Sequence, residues 1–113
     1  MKVRRILHRM GYRYRLHDPN LPGKPDLVFK GRKKVIFVNG CFWHGHKDCA
    51  RSKLPETNRE FWEKKIAANV KRDGKVYERL RRAGWDVLVV WECRTRDEEG
   101  LRRMLERFLG EGS

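Results

Sequence analysis

Within GCFWHGHKDC, residues 40–49, two thiols and two imidazoles fall inside nine positions, at Cys41, His44, His46 and Cys49. Zinc takes four soft or borderline ligands in a tetrahedron. Cys41, His46 and Cys49, spaced C-x4-H-x2-C, offer three corners from one loop. The fourth must come from elsewhere, and the one remaining cysteine is Cys93. A Cys3His site would use every thiol and tie the 40–57 loop to the end of a later strand. The competing reading makes Cys93 a buried apolar residue and leaves the loop thiols free, as an oxidation liability. Four protein ligands leave no open position for water, so such a Zn2+ is structural.

His44 and His46 lie two apart and point opposite ways in an extended loop. If His46 faces the metal, His44 faces outward as a group that titrates near neutral pH, suited to general-base work. The reverse, His44 on the metal and His46 free, satisfies a similar spacing.

These residues need a scaffold. The 113 residues suit one domain with a modest core. Val3, Ile6, Leu7 and Met10 predict a first helix over 2–10, stopped at Gly11. YRYRL, 12–16, alternates as a half-buried strand, and HDPNLPGKP is a loop. DLVF and KKVIFVN predict two strands turning around KGRK. Thr57 with Glu60 forms a capping-box signature for a long helix from about Asn58 to Arg82, with a possible break at Gly74. WDVLVVW, 85–91, is continuously apolar, as a central strand covered on both faces would be, with Trp85 and Trp91 in the core. A last helix runs from about Asp97 to Leu109 with Leu101, Met104, Leu105 and Phe108 inward. The long helix acts as a crossover and sets strand 85–91 parallel to an earlier one. The fold class is α/β, a mixed sheet flanked by helices.

Net charge is +13, with 38% of residues charged. Residues 1–34 hold 11 Lys/Arg against Asp18 and Asp26, and 51–82 hold 11 more against five acids. Such a balance predicts a polyanionic partner, nucleic acid before an anionic membrane surface. No apolar run is long enough to span a membrane, and the basic N-terminus lacks the apolar core of a secretory signal. Three cysteines argue against a disulfide framework. The chain reads as cytoplasmic.

Five segments together carry a more specific likeness: LPGKPDLVF (21–29), VIFVNGCFWHGHKDC (35–49), LPETNREFW (54–62), KIAANVKRD (65–73) and GWDVLVVWEC (84–93). In these the chain resembles the very-short-patch mismatch repair endonucleases (Vsr) over almost its whole length. The resemblance implies a restriction-endonuclease-like core and nicking of one DNA strand beside a T·G mismatch, with Mg2+ for catalysis and Zn2+ for structure. It implies Asp26 as the magnesium carboxylate, with a backbone carbonyl such as that of Val38 nearby. It implies Cys41, His46, Cys49 and Cys93 as zinc ligands, His44 as the catalytic histidine and Asp73 as its support. Phe42, Trp43 and Trp62 resemble a wedge entering the duplex, and Lys65 and Asn69 resemble residues facing bases. Trp62, Lys65, Asn69 and Asp73 are spaced to share one helix face.

The likeness has departures. Asn39 stands where members of the family often carry a second histidine. Asparagine cannot transfer a proton, though it can bond a phosphate or orient water. The chain also starts at the family's first helix, which implies a single Vsr-like domain over 1–113 lacking an N-terminal arm. The expected function is a nicking endonuclease on mismatched double-stranded DNA, acting as a monomer. The alternatives are a non-catalytic or weakly catalytic mismatch-binding module of the same fold and an RNA-binding protein.

Overall fold

The computed structural model describes residues 2–110. Helix α1 spans Lys2–Arg9; strands β1 (Arg15–Leu16), β2 (Leu27–Phe29) and β3 (Lys34–Asn39) follow. The long helix α2 covers Arg59–Arg82, β4 covers Asp86–Trp91, and α3 covers Glu98–Leu109. The sheet order is β1-β2-β3-β4, antiparallel through β3 and parallel between β3 and β4. This mixed α/β sheet carries helices on both faces.

Alternation along the strands sorts the two faces. Leu27, Phe29, Ile36 and Val90 pack with Val3, Ile6 and Leu7 of α1 and with Leu101, Leu105 and Leu109 of α3. Val28, Val35 and Phe37 pack with Leu80 of α2, flanked by Val76, Tyr77 and Trp85. Residues two apart on a strand share a face. Asp26 therefore goes with Val28, and Asn39 with Val35 and Phe37, onto the α2 side. That parity delivers both polar residues to the helix bearing Asp73.

Four expectations need correction. WDVLVVW is not central: β4 is the edge strand. Its apolar run is explained by cover on both faces, Leu88 against the α1/α3 cluster and Val87 against the α2 cluster. The Thr57/Glu60 capping box does not form. Asn58 occupies the N-cap in the left-handed region at φ 57° with no side-chain cap bond, a conformation asparagine tolerates. The predicted strand over 12–16 shrinks to two paired residues, while Tyr12 packs edgewise and Tyr14 at a tilt against Phe29. Gly74 does not interrupt α2. Asp97 caps α3 by accepting from the Gly100 N–H at 3.0 Å.

Candidate active site

β3 ends at Asn39 and the chain turns at once into the 40–57 loop, which lies over the first half of α2. Gly45 sets how close the two come. It sits at φ +59°, and a Cβ there would meet Ile66 Cγ2 at 2.8 Å and Val70 Cγ2 at 2.9 Å. Gly45→Ala is expected to cost about 1–3 kcal/mol through left-handed strain and this clash. Thermal unfolding checks it, and an unchanged midpoint would show that the loop does not rest on α2 as described.

On the far side of Gly45 the loop meets the residues following β4. The ligand atoms of Cys41, His46, Cys49 and Cys93 all lie within 4.8 Å of one another. His46 presents Nδ1 to Cys93 Sγ at 3.6 Å. Of the two histidines it is His46, not His44, that reaches the thiols. Trp91 stacks on the His46 ring at 4.2 Å and 11°, so this tryptophan packs against the loop and is not wholly core. An Arg51–Glu92 ion pair bridges the same two segments. Burial pushes the Cys41 thiol up to about 11, against the backbone N–H of Cys93, which lowers it. Cys49 is lowered, chiefly by the backbone N–H of Arg51. Three sulfurs this close cannot all ionise without a cation among them, and three thiolates with one imidazole are a donor set suited to a soft or borderline metal. The residues fit a bound metal ion.

His44 faces the other way. Its Nδ1 lies 2.6 Å from Asp73 Oδ2 of α2. A carboxylate at Nδ1 holds the ring proton there and leaves Nε2 free to accept one. His44 and Asp73 share a cleft of about 320 Å³ with Asp26, Val38, Asn39, Arg72 and Tyr77 among its walls. Asp26 Oδ2 accepts from the Val38 N–H at 2.7 Å. The N–H and C=O of one strand residue point to the same side, so the Val38 carbonyl turns toward this edge as well. Asp26 Oδ1 carries no hydrogen bond among the described residues and lies 3.9 Å from His17 Nδ1. A carboxylate oxygen kept open beside a backbone carbonyl fits a hard cation, which needs few protein ligands. Asn39 is buried, its Nδ2 donating to Tyr77 Oη at 2.7 Å. Burial raises the Tyr77 phenol above its usual range, the Asn39 bond opposes this, and the charges of Asp73 and Asp26 add to it.

Beside the cleft, Phe42, Trp43 and Trp62 meet edge to face at 5.2 to 5.7 Å between centroids. Trp43 is 51% exposed, and Phe61, packed on Trp62 at 5.2 Å, is 58% exposed. Neither Phe42 nor Trp43 belongs to the core. Asn69 is committed on both sides: Nδ2 donates to the Trp43 carbonyl at 2.9 Å, and Oδ1 accepts from Arg72 at 3.0 Å. Its amide thus braces the aromatic loop and holds Arg72, using one of its two N–H donors and one oxygen lone pair. Lys65 is exposed on α2.

Sequence reasoning passed over His17, Phe61, Arg72 and Tyr77. Phe61 and Arg72 are each adjacent to a residue singled out on α2, Trp62 and Asp73, which was the available signal. Nothing local marks His17 or Tyr77, because both are joined to the cleft only by strand register and helix packing.

The sheet with helices on both faces makes the chain α/β, with a cleft holding Asp26, His44 and Asp73 where β3 ends beside α2. A model of the family described as DNA mismatch endonuclease Vsr matches residues 1–51. The type II nicking enzyme V.XorIIP of Xanthomonas oryzae is 47% identical over 107 residues, covering 95% of this chain and 78% of that protein. The DNA mismatch endonuclease Vsr of Escherichia coli is 44% identical over 114 residues, covering 96% and 72%. A type II nicking enzyme of Neisseria meningitidis, V.NmeAIP, is 41% identical, covering 96% and 77%. The chain belongs to the Vsr family of DNA mismatch endonucleases.

Proposed function

We propose that this chain is a DNA-nicking endonuclease that cuts one strand beside a T·G mismatch. In this reading Zn2+ is held by Cys41, His46, Cys49 and Cys93, and Mg2+ is taken at Asp26 beside the Val38 carbonyl. The observation that carries the reading is the pairing of His44 with Asp73 at 2.6 Å in the same cleft as Asp26. A base, its orienting acid and an open carboxylate together form a constellation for phosphodiester hydrolysis.

His44 Nε2 takes a proton from the attacking water. The water oxygen bonds to phosphorus, the bond from phosphorus to the leaving sugar oxygen breaks, and that oxygen is protonated from solvent. Asp73 keeps the imidazole in the tautomer that can accept and stabilises the imidazolium formed. Asp26, beside the Val38 carbonyl, would hold Mg2+, which when bound would supply Lewis-acid stabilisation of the charge developing on the phosphate. Zinc supplies rigidity to the loop carrying His44.

Phe42, Trp43 and Trp62, with Phe61 beside them, present rings to the duplex. Opening a step costs a few kcal/mol and least at a mismatch. Stacking returns roughly 1–3 kcal/mol per base. Lys65 and Arg72 lie on the same helix as Trp62 and supply charge to the backbone. An asymmetric mismatch suits a monomer, and access to DNA places the protein in the cytoplasm; no helix of the described residues is long and apolar enough to cross a membrane.

The test is a strand-nicking assay with magnesium on duplexes carrying T·G, other mismatches or only matched pairs. Expected is one nicked strand on the T·G duplex and slow or absent cutting of matched DNA. With a net charge of +13, affinity is expected to fall about 10³-fold or more between about 50 and 200 mM salt. Tight, mismatch-selective binding with no cleavage under any divalent cation would leave the binding-module reading instead. Preference for RNA in competition would remove both.

A further inference from the structure

We propose that the Tyr77 hydroxyl, aimed by Asn39, donates a hydrogen bond to a non-bridging oxygen of the scissile phosphodiester. The proposal rests on the nicking reading of the cleft and adds a group to it.

Asn39 closes β3 on the α2 face and is 4% exposed. A buried amide needs hydrogen-bond partners, and Asn39 Nδ2 donates to Tyr77 Oη at 2.7 Å. A phenol oxygen can receive such a bond and still give its single proton elsewhere. With the amide donating to it, that proton is turned away from Asn39. Among the described residues it has no protein acceptor.

Tyr77 lines the cleft with Asp26, His44 and Asp73. Its ring is fixed edge-on to Phe37 at 5.1 Å, so both ring and hydroxyl are held before substrate arrives. Burial and the two nearby carboxylates keep the phenol protonated, which makes it a neutral donor at physiological pH. Of the cationic side chains lining the cleft, Lys24 and Arg72 are both exposed, and Arg72 already donates to Asn69. Tyr77 is the preorganised one, and a preorganised donor aimed at developing charge favours the transition state over the bound ground state. Asn39 is a positioning residue: it acts through Tyr77.

Tyr77→Phe removes the oxygen and keeps the ring against Phe37. On the T·G duplex with magnesium, kcat is expected to fall about 10²-fold, with KM and the thermal midpoint unchanged. A phosphorothioate at the non-bridging oxygen that Tyr77 contacts should slow the wild type, and that slowing should be lost in Tyr77→Phe. Asn39→Ala should also lower kcat, and the double variant should be no slower than Tyr77→Phe alone. Wild-type nicking with an unchanged Tyr77→Phe rate overturns the proposal alone. Losses that simply add in the double variant overturn the aiming role of Asn39. A wild type that binds but does not nick overturns the nuclease reading and this proposal with it.

Discussion

Replacing His44 by alanine is expected to lower single-turnover nicking about 10²–10⁴-fold, the range for loss of a positioned proton acceptor. The side chain is partly exposed and, among the described residues, its one polar partner is Asp73 at 2.6 Å, so little packing is lost. Duplex affinity and the thermal midpoint should stay close to wild type. Asp73→Asn tests the same pair from the other end. An amide can still accept from Nδ1–H through its oxygen, but it does not stabilise the imidazolium, so the rate should fall less than in His44→Ala. If His44→Ala nicks as fast as wild type, the proton goes elsewhere, and His17, 3.9 Å from Asp26, is then the next imidazole to examine.

The second large effect is expected at the far end of the same loop. Cys93→Ala removes the one proposed metal ligand that comes from outside residues 41–49. The two core clusters do not depend on it, so the sheet should persist while the loop loses its anchor. A structural zinc contributes about 10–16 kcal/mol of apparent binding energy in peptides that fold only around it. Here the loss should be smaller, several kcal/mol, lowering the midpoint by roughly 10 °C or more. Nicking should fall by at least about 10²-fold, because His44 rides on that loop and a misplacement near 1 Å has that effect. Atomic emission for bound zinc, thermal unfolding and the nicking rate should move together. Wild-type metal content and melting in Cys93→Ala would remove Cys93 from the site.

Much of this was legible in the chain because it depends on local pattern. The β2–β3 hairpin, α2 and α3 follow from alternation, helical spacing and turn residues within short windows. His44 and His46 do point apart, toward Asp73 and Cys93, but residues 41–45 form hydrogen-bonded turns and not the extended stretch that the two-residue parity assumed. The position of β4 at the sheet edge was not legible, because an apolar run reports cover on its faces and says nothing of a neighbour in the hydrogen-bonding direction. The Asn58 cap was misread for a related reason: a capping-box spelling does not exclude a left-handed entry to the helix. The double commitment of Asn69 and the Asn39–Tyr77 bond depend on how α2 is rotated against β3 and the loop. No short-range pattern encodes that rotation.

The proposed function sets the chemistry in one cleft with Asp26 as its cation ligand, and the exposed rings beside it. Asp26→Asn keeps the shape of that side chain and its bond from the Val38 N–H while discarding the charge. The decisive measurement is its strand-nicking rate on a T·G duplex at saturating protein and magnesium, beside binding to the same duplex. The expected result is wild-type binding with nicking about 10³-fold slower, the scale of losing several kcal/mol of charge stabilisation. Nicking by Asp26→Asn at the wild-type rate would contradict the account.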